Sequence, residues 1–246
     1  YDKFDTNGIA YYTFRDLDVY APNGSLYRYK VTETAINGYK TEVGSGDLDA
    51  NSSFVESFVS SDVTLTPKSS IGVINAIKAA LNQNQTAKVT FRNTYTPEII
   101  KIQGQKIWND DGNSAELRPD NIELTLTRYA NAQSGSNNSI EEQTLTKNKD
   151  FKIKWSNTLG SWAYTMIGID ETHELEKYAP NGMPWIYRVE EKMDPLSESI
   201  YVKTPSNGIV EKNANTANGN GIVNMPNLTN TLLTSISGTK NWDITA

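Results

Sequence analysis

The sequence predicts an all-β protein built from repeated sandwich domains. Three observations support this class. Short segments of alternating apolar and polar residues recur along the 246 residues, and turns rich in Gly and Asn separate them. Thr, Asn, Ser and Tyr are abundant, which is typical of sandwiches with one solvated face on each sheet. Finally, four short motifs occur twice in the same order.

The repeated motifs define corresponding positions in two copies. They are Tyr-Ala-Pro-Asn-Gly at 20–24 and 178–182, Tyr-x-Val-x-Glu at 29–33 and 187–191, Asn-Thr at 93–94 and 230–231, and Gly-x-Lys-x-Trp at 104–108 and 238–242. Glu33 and Glu191 are 158 positions apart (191 − 33 = 158), as are the two Tyr-Ala-Pro-Asn-Gly motifs. Asn93 and Asn230 are only 137 apart (230 − 93 = 137). The first copy therefore holds 21 extra residues (158 − 137 = 21) between its Glu and its Asn.

The repeat predicts a window on a tandem array of domains. One period is 134 residues (240 − 106 = 134), which is enough to bury a core. We expect residues 1–97 to be the C-terminal part of one domain that lacks its first strands. Residues 98–233 are then a complete domain, and residues 234–246 are the first strand of a third. A helical pattern over residues 71–83 predicts a short amphipathic helix within the longer segment of the first copy.

Alternation also predicts which side chains point into the core. Lys106 shares a face with Trp108, Glu191 shares one with Tyr187 and Val189, and Asn230 shares one with Leu228 and Leu232. Glu33 and Asn93 are the equivalent residues of the first copy. Lys101 and Glu190 have the opposite parity and are expected to point outward. Three polar residues from three strands are therefore predicted inside an apolar core.

This set of residue types can form an amide bond. Burial of a lone ammonium is very unfavourable and shifts lysine towards its neutral amine, which is a nucleophile. A carboxylic acid beside it can polarise the asparagine carbonyl and carry protons to departing ammonia. The product would be an isopeptide bond between lysine Nζ and asparagine Cγ. A buried Lys–Glu ion pair capped by an asparagine hydrogen bond is the alternative, and spacing alone leaves both open.

The combined motifs resemble the B-type domains of collagen adhesins (Cna B-type domains), which occur in surface adhesins and pilins of Gram-positive bacteria. The resemblance rests on Gly-x-Lys-x-Trp, the following Arg118-Pro119, Tyr-x-Val-x-Glu and the closing Asn-Thr-Tyr-Thr-Pro at 93–97. Residues 29–39 also resemble the pilin E-box, although Ile36-Asn37 stands where Ala-Pro is usual. The family implies Greek-key sandwiches of inverse immunoglobulin type.

The resemblance also implies a role for each residue of the motifs. By position, Lys106 would be joined to Asn230 with Glu191 as the catalyst. Glu33 and Asn93 would belong to a unit whose lysine is absent from this chain. Lys240 would belong to a unit whose asparagine is absent.

Composition limits the partners and cofactors. The chain has no cysteine and one histidine, His173, so we expect no disulfide, metal site or cofactor. A net charge of −6 argues against nucleic acid or an anionic membrane as the partner. The segment Asn109–Asn113 is similar to a calcium loop, but it lacks the later bidentate glutamate, so a turn is favoured. Trp155, Trp162 and Trp185 lie in alternating patterns and are expected to pack in the core.

The sequence thus predicts a stalk segment of an extracellular, cell-wall-attached adhesin or pilus-like protein, monomeric and arranged in tandem. We expect no substrate turnover, only one self-directed amide bond per unit. A host matrix protein or glycan would be bound through another region of the parent protein. In the alternative, these modules themselves grip the matrix protein or glycan, which an exposed aromatic patch would favour. A third interpretation, an accessory module of a secreted glycoside-active enzyme, requires an adjoining catalytic domain.

Overall fold

The computed structural model describes residues 10, 12, 18, 21–25, 33–45, 55–56, 89–158, 161–170 and 173–234. The chain divides into two compact units. The first comprises residues 1–35 and 41–93, and the second comprises residues 36–40 and 94–246. Each unit is described by itself below.

The strands described in the first unit form one three-stranded sheet. Its strands are β1 (Tyr39–Ser45), β2 (Val55–Glu56) and β3 (Val89–Tyr95). The first and last of these extend by two residues each into the second unit. Strand β1 lies at the centre, in the order β2-β1-β3, and pairs antiparallel with β2. The predicted helix at 71–83 lies outside the described residues.

The second unit contains ten strands and one short α-helix among its described residues. The strands are β4 (Lys101–Asn109), β5 (Glu123–Ala130), β6 (Ile140–Leu145), β7 (Phe151–Thr158), β8 (Ser161–Gly168), β9 (Ile186–Lys192), β10 (Tyr201–Thr204), β11 (Ile209–Asn213), β12 (Ile222–Asn224) and β13 (Leu228–Leu232). The helix α1 (Pro195–Ile200) begins at the N-cap Asp194, whose side chain accepts from the amides of Leu196 and Ser197. Single 3₁₀ turns occupy Asp111–Asn113 and Ala214–Thr216.

Two sheets form the sandwich of this unit. One has the order β10-β13-β4-β8-β7, with β12 also paired to β4, and the other has the order β11-β9-β5-β6. Alternation explains the packing, because every second residue of β9 is buried (Tyr187, Val189 and Glu191) and the residues between them are partly exposed. The inner faces of both sheets contribute to one apolar core. Its members include Ile102, Leu124, Leu126, Tyr164, Met166, Trp185, Val210 and Leu228.

The first and last strands of the unit are neighbours in the same sheet. Strands β12 and β13 both run parallel to β4, with Val223 opposite Ile102 and Asn230 opposite Trp108. Parallel strands need a long crossover, and here nearly the whole domain provides it. This arrangement places residues from opposite ends of the domain on one inner face.

The Ala-Pro-Asn-Gly part of the repeated motif, at 21–24 and 179–182, forms the same turn in both units. In the first copy the amide of Ala21 donates to the carbonyl of Ser25, and in the second the amide of Ala179 donates to that of Met183. The glycine adopts a left-handed conformation each time, with φ of +79° and +77°. Identical local sequence therefore produces identical local structure.

The prediction of an all-β sandwich is confirmed, whereas the tandem arrangement of such domains stays a prediction. The described part of the chain is dominated by β-strands arranged as packed sheets.

Candidate functional site: a buried Lys-Glu-Asn cluster

Three strands of the second unit direct one polar side chain each into the core. Lys106 lies on β4, Asn230 lies on the adjacent β13, and Glu191 lies on β9 of the facing sheet. All three are buried, with 0%, 0% and 2% of their surface exposed. Lys101 is exposed and Glu190 is partly exposed, as strand parity predicts.

The three side chains meet at one carboxylate oxygen. Glu191 Oε1 lies 3.5 Å from Lys106 Nζ and accepts a hydrogen bond of 3.1 Å from Asn230 Nδ2. The lysine amine also donates to the carbonyl of Ile107 at 3.2 Å. The asparagine amide contacts Met193 Sδ at 2.9 Å. One oxygen thus contacts both the nitrogen that could attack and the nitrogen that could leave.

Burial controls the charge of the lysine. Desolvation lowers the pKa of Lys106 to about 8, although the neighbouring Glu191 carboxylate acts to raise it. The cations Arg118 and Lys203 lower this pKa further. A substantial fraction of Lys106 is therefore a neutral amine in mildly alkaline solution. An ordinary surface lysine is almost fully protonated there.

Two polar atoms of the cluster have no hydrogen-bond partner among the described residues. They are Glu191 Oε2 and Asn230 Oδ1, and both are buried. Unpaired buried polar atoms are unfavourable and call for an explanation. These two belong to the groups that would exchange protons and bear developing negative charge if the asparagine carbonyl were attacked.

An aromatic and ionic support lies beneath the lysine. The Trp108 ring centroid is 4.2 Å from Lys106 Nζ. The Tyr201 ring packs edge-on against the Trp108 ring, with 5.1 Å between the two centroids. The Asp110 carboxylate accepts hydrogen bonds from Arg118 Nε at 2.9 Å and from Tyr201 Oη at 3.2 Å. Sequence reasoning placed Arg118 in a motif but did not identify Asp110 as its partner.

The turn at 109–113 is explained by the same contacts. The Asp110 carboxylate caps the 3₁₀ turn by accepting a hydrogen bond of 3.1 Å from the amide of Asn113. The same carboxylate also accepts hydrogen bonds from Arg118 and Tyr201. Within the described ranges, no cluster of three or more His, Cys, Asp or Glu side chains could hold a metal ion.

The first unit reproduces one contact of the cluster. Asn93 Nδ2 donates to Glu33 Oε1 at 3.0 Å, and Thr41 Oγ1 donates to Asn93 Oδ1 at 2.6 Å. The expectation that Asn93 is buried is wrong, because its side chain is exposed. The strands described in this unit form a single sheet, whereas Asn230 contacts Glu191 of a facing sheet. Lys240 lies outside the described residues.

The three tryptophans expected in the core have different environments. Trp185 is buried, with the Arg128 guanidinium 4.2 Å from its ring. Trp162 is partly buried and packs against Trp108 with a centroid distance of 5.9 Å. Trp155 is 41% exposed, so the expectation of core packing is wrong for this residue. It lies on edge strand β7, where the facing sheet does not cover it.

Fold and site together define an all-β sandwich with a buried Lys-Glu-Asn cluster. A family model described as the Cna protein B-type domain matches residues 2–54 and 102–224, more than half of the chain. The chain therefore belongs to the Cna B-type domain family. Comparisons with curated proteins and with solved structures gave no match. Domains of this family are typical of extracellular surface adhesins and pilins.

None of the helices in the described part of the chain has the length and apolar character needed to cross a bilayer.

Proposed function

We propose that this chain is a stalk segment of a cell-wall-attached surface adhesin or pilus-like protein, built from tandem Cna B-type units that lock themselves with isopeptide bonds. In the second unit the bond joins Lys106 to Asn230, with Glu191 as the internal catalyst. The observation that carries this proposal is the contact of both side-chain nitrogens with Glu191 Oε1 inside the core.

The proposed reaction is a single acyl transfer. The neutral amine of Lys106 attacks Asn230 Cγ and a C–N bond forms. Glu191 accepts the proton that the amine loses and delivers a proton to Nδ2, which leaves as ammonia when the original C–N bond breaks. No oxidant or cofactor is needed for this balance. The proximity of the groups supplies much of the rate, because the fold holds the reactants together in a dry site.

The proposed bond fits a mechanical role. Lys106 and Asn230 lie on adjacent parallel strands near opposite ends of the domain sequence. A pulling force that enters at one strand and leaves at the other would pass through covalent bonds and would not shear the sandwich. An amide is also insensitive to reduction, unlike a disulfide.

Intact mass tests the proposal directly. The folded protein should weigh less than its sequence mass by at least one ammonia, and a tandem mass spectrum should show a branched peptide joining Lys106 to Asn230. The deficit assigned to this unit should disappear in Lys106→Ala, Asn230→Ala and Glu191→Ala variants. Glu190→Ala is the matched control, since its side chain is partly exposed on the same strand. Retention of the full sequence mass by the folded wild-type protein would exclude the bond.

A further inference from the structure

A cleft opens at one edge of the second unit, and its residues are not members of the Lys-Glu-Asn cluster. It measures about 240 Å³ and is lined by Asp120, Asn121, Ile122, Trp155, Ser156 and Trp162. The two indole rings meet nearly at right angles, with an interplanar angle of 78° and centroids 6.1 Å apart. An exposed tryptophan beside a partly buried one is a common feature of recognition sites, where aromatic rings supply rigid contact area.

The polar groups of the cleft are available to a ligand. The side chains of Asp120 and Asn121 make no hydrogen bond or ion pair with another described residue. The Asp120 carboxylate is the one charged group that lines the cleft, and the chain has a net charge of −6. Charge complementarity therefore favours a cationic ligand. Arginine fits these groups best, because its planar guanidinium stacks on indole rings and donates hydrogen bonds to carboxylate and amide oxygens.

The position of the cleft indicates how such a side chain would arrive. Strand β7 is the last strand of its sheet, and within the described part of the chain its outer edge makes one isolated bridge, between Phe151 and Lys147. Trp155 lies directly opposite the buried Tyr164 in the strand pairing, so it points to the inner side of the sheet. A strand added beside β7 would therefore direct alternate side chains to the side on which the cleft lies.

We propose that β7 and this cleft bind an extended, arginine-bearing segment of a partner protein, which adds a strand to the sheet and inserts its guanidinium between Trp155 and Asp120. The main-chain pairing supplies affinity, and the cleft supplies specificity for the cation. The opposite face of β7 presents the exposed Lys154, whereas the nearby Lys152 Nζ donates to the carbonyl of Ile169 at 3.3 Å. An acidic residue next to the arginine in the bound segment would pair with Lys154.

Synthetic peptides test the proposal on the whole chain. The probe is an alternating Thr/Val peptide long enough to span β7, with one central arginine. Its matched control carries citrulline, which keeps the shape of arginine but lacks the charge. We expect the arginine peptide to bind about tenfold more tightly than the citrulline peptide, as the loss of a stacked cation implies. Binding is measured by calorimetry, and backbone amide NMR shifts should be concentrated on β7.

Protein variants and a second peptide separate the two parts of the site. Trp155→Ala and Asp120→Asn should each weaken arginine-peptide binding, whereas Leu196→Ala, an exposed apolar residue elsewhere, should not. A backbone N-methylated peptide should fail to bind, because it cannot form the strand ladder. Equal affinity for citrulline, insensitivity to both cleft variants, unaltered binding of the N-methylated peptide, or no binding at all would each overturn the proposal. Binding of a neutral oligosaccharide in place of the arginine peptide would also overturn it.

Discussion

Gly104 lies directly opposite Tyr164 in the pairing of β4 with β8, and the phenol ring occupies the space that a side chain at position 104 would need. A Cβ atom added at Gly104 would be 2.2 Å from Tyr164 Oη and 2.3 Å from Cζ, closer than real Cβ contacts allow. The glycine of the Gly-x-Lys-x-Trp motif therefore makes room for a buried tyrosine next to the lysine. This contact explains a motif position that carries no chemistry of its own.

Replacement of this glycine should destabilise the second unit. Gly104→Ala forces the Tyr164 ring to move within a packed core, and overpacking of this kind lowers the free energy of unfolding by about 1–3 kcal/mol. Gly219→Ala is the matched control, because no atom lies within 4 Å of the added methyl group. The measurement is urea unfolding followed by tryptophan fluorescence. In the background of Tyr164→Leu, which removes the ring tip, the effect of Gly104→Ala should shrink, and an undiminished effect would contradict the steric explanation.

The rate of the proposed bond formation should depend on the protonation of Lys106. Its pKa is lowered to about 8, so the neutral fraction, and with it the rate, should rise about tenfold per pH unit below pH 8 and level off above it. A photocaged lysine at position 106 would allow light to start the reaction at a chosen pH, with intact mass recorded over time. A rate that continues to climb towards pH 10 would show that the lysine has an ordinary pKa.

The bond should also stabilise the folded unit. It would close a loop of 124 positions (230 − 106 = 124), and restriction of the unfolded chain by a cross-link of that length contributes roughly 4–5 kcal/mol. Lys106→Met removes the bond without introducing a new buried charge, so its free energy of unfolding should fall by about that amount. Lys101→Met, an exposed change on the same strand, serves as the control. Equal stability of the Lys106→Met variant and a cross-linked wild type would refute this prediction.

Acid resistance should depend on the ion pair between Asp110 and Arg118. Hydrogen bonds from Arg118 are the main cause that holds the pKa of Asp110 below its ordinary value. A carboxylate with a lowered folded-state pKa contributes stability above its unfolded-state pKa and loses it as the pH falls through the folded-state value. Arg118→Met should therefore lower stability at neutral pH and shift acid unfolding to higher pH. Stability measured by chemical denaturation between pH 7 and pH 2 checks both effects.

The control for this prediction is a surface arginine. Arg188→Met removes ion pairs with Glu142 and Glu211, whose side chains are 43% and 48% exposed. Exposed ion pairs of this type contribute about 0–1 kcal/mol to stability. The pH at which the Arg188→Met variant unfolds in acid should therefore hardly change. An equal shift in both variants would mean that burial of Asp110 is unimportant.

Much of the site could be predicted from the sequence because strand alternation is a local property. A period of two determines that Lys106, Glu191 and Asn230 point inward, whereas Lys101 and Glu190 do not, whatever the rest of the chain does. The repeated motifs likewise predicted equivalent positions in two copies, and the Ala-Pro-Asn-Gly turn is the same in both. These inferences needed only neighbouring residues.

Tertiary structure alone decided which groups meet and which are covered. The residue pattern did not reveal that Glu191 reaches Lys106 from the opposite sheet, and only the family resemblance implied that the two meet. It also did not reveal that Tyr201 reaches Asp110 across 91 positions (201 − 110 = 91). Strand alternation directs both Trp155 and Trp162 to the inner face of the sheet. Trp155 is nevertheless exposed, because β7 is the edge strand. Asn93 is exposed in the described first unit although its parity matches that of Asn230. The position of a residue in a strand, odd or even, specifies the face to which its side chain points. Burial also requires a second sheet packed against that face, and contacts between residues far apart in the chain decide where that sheet lies.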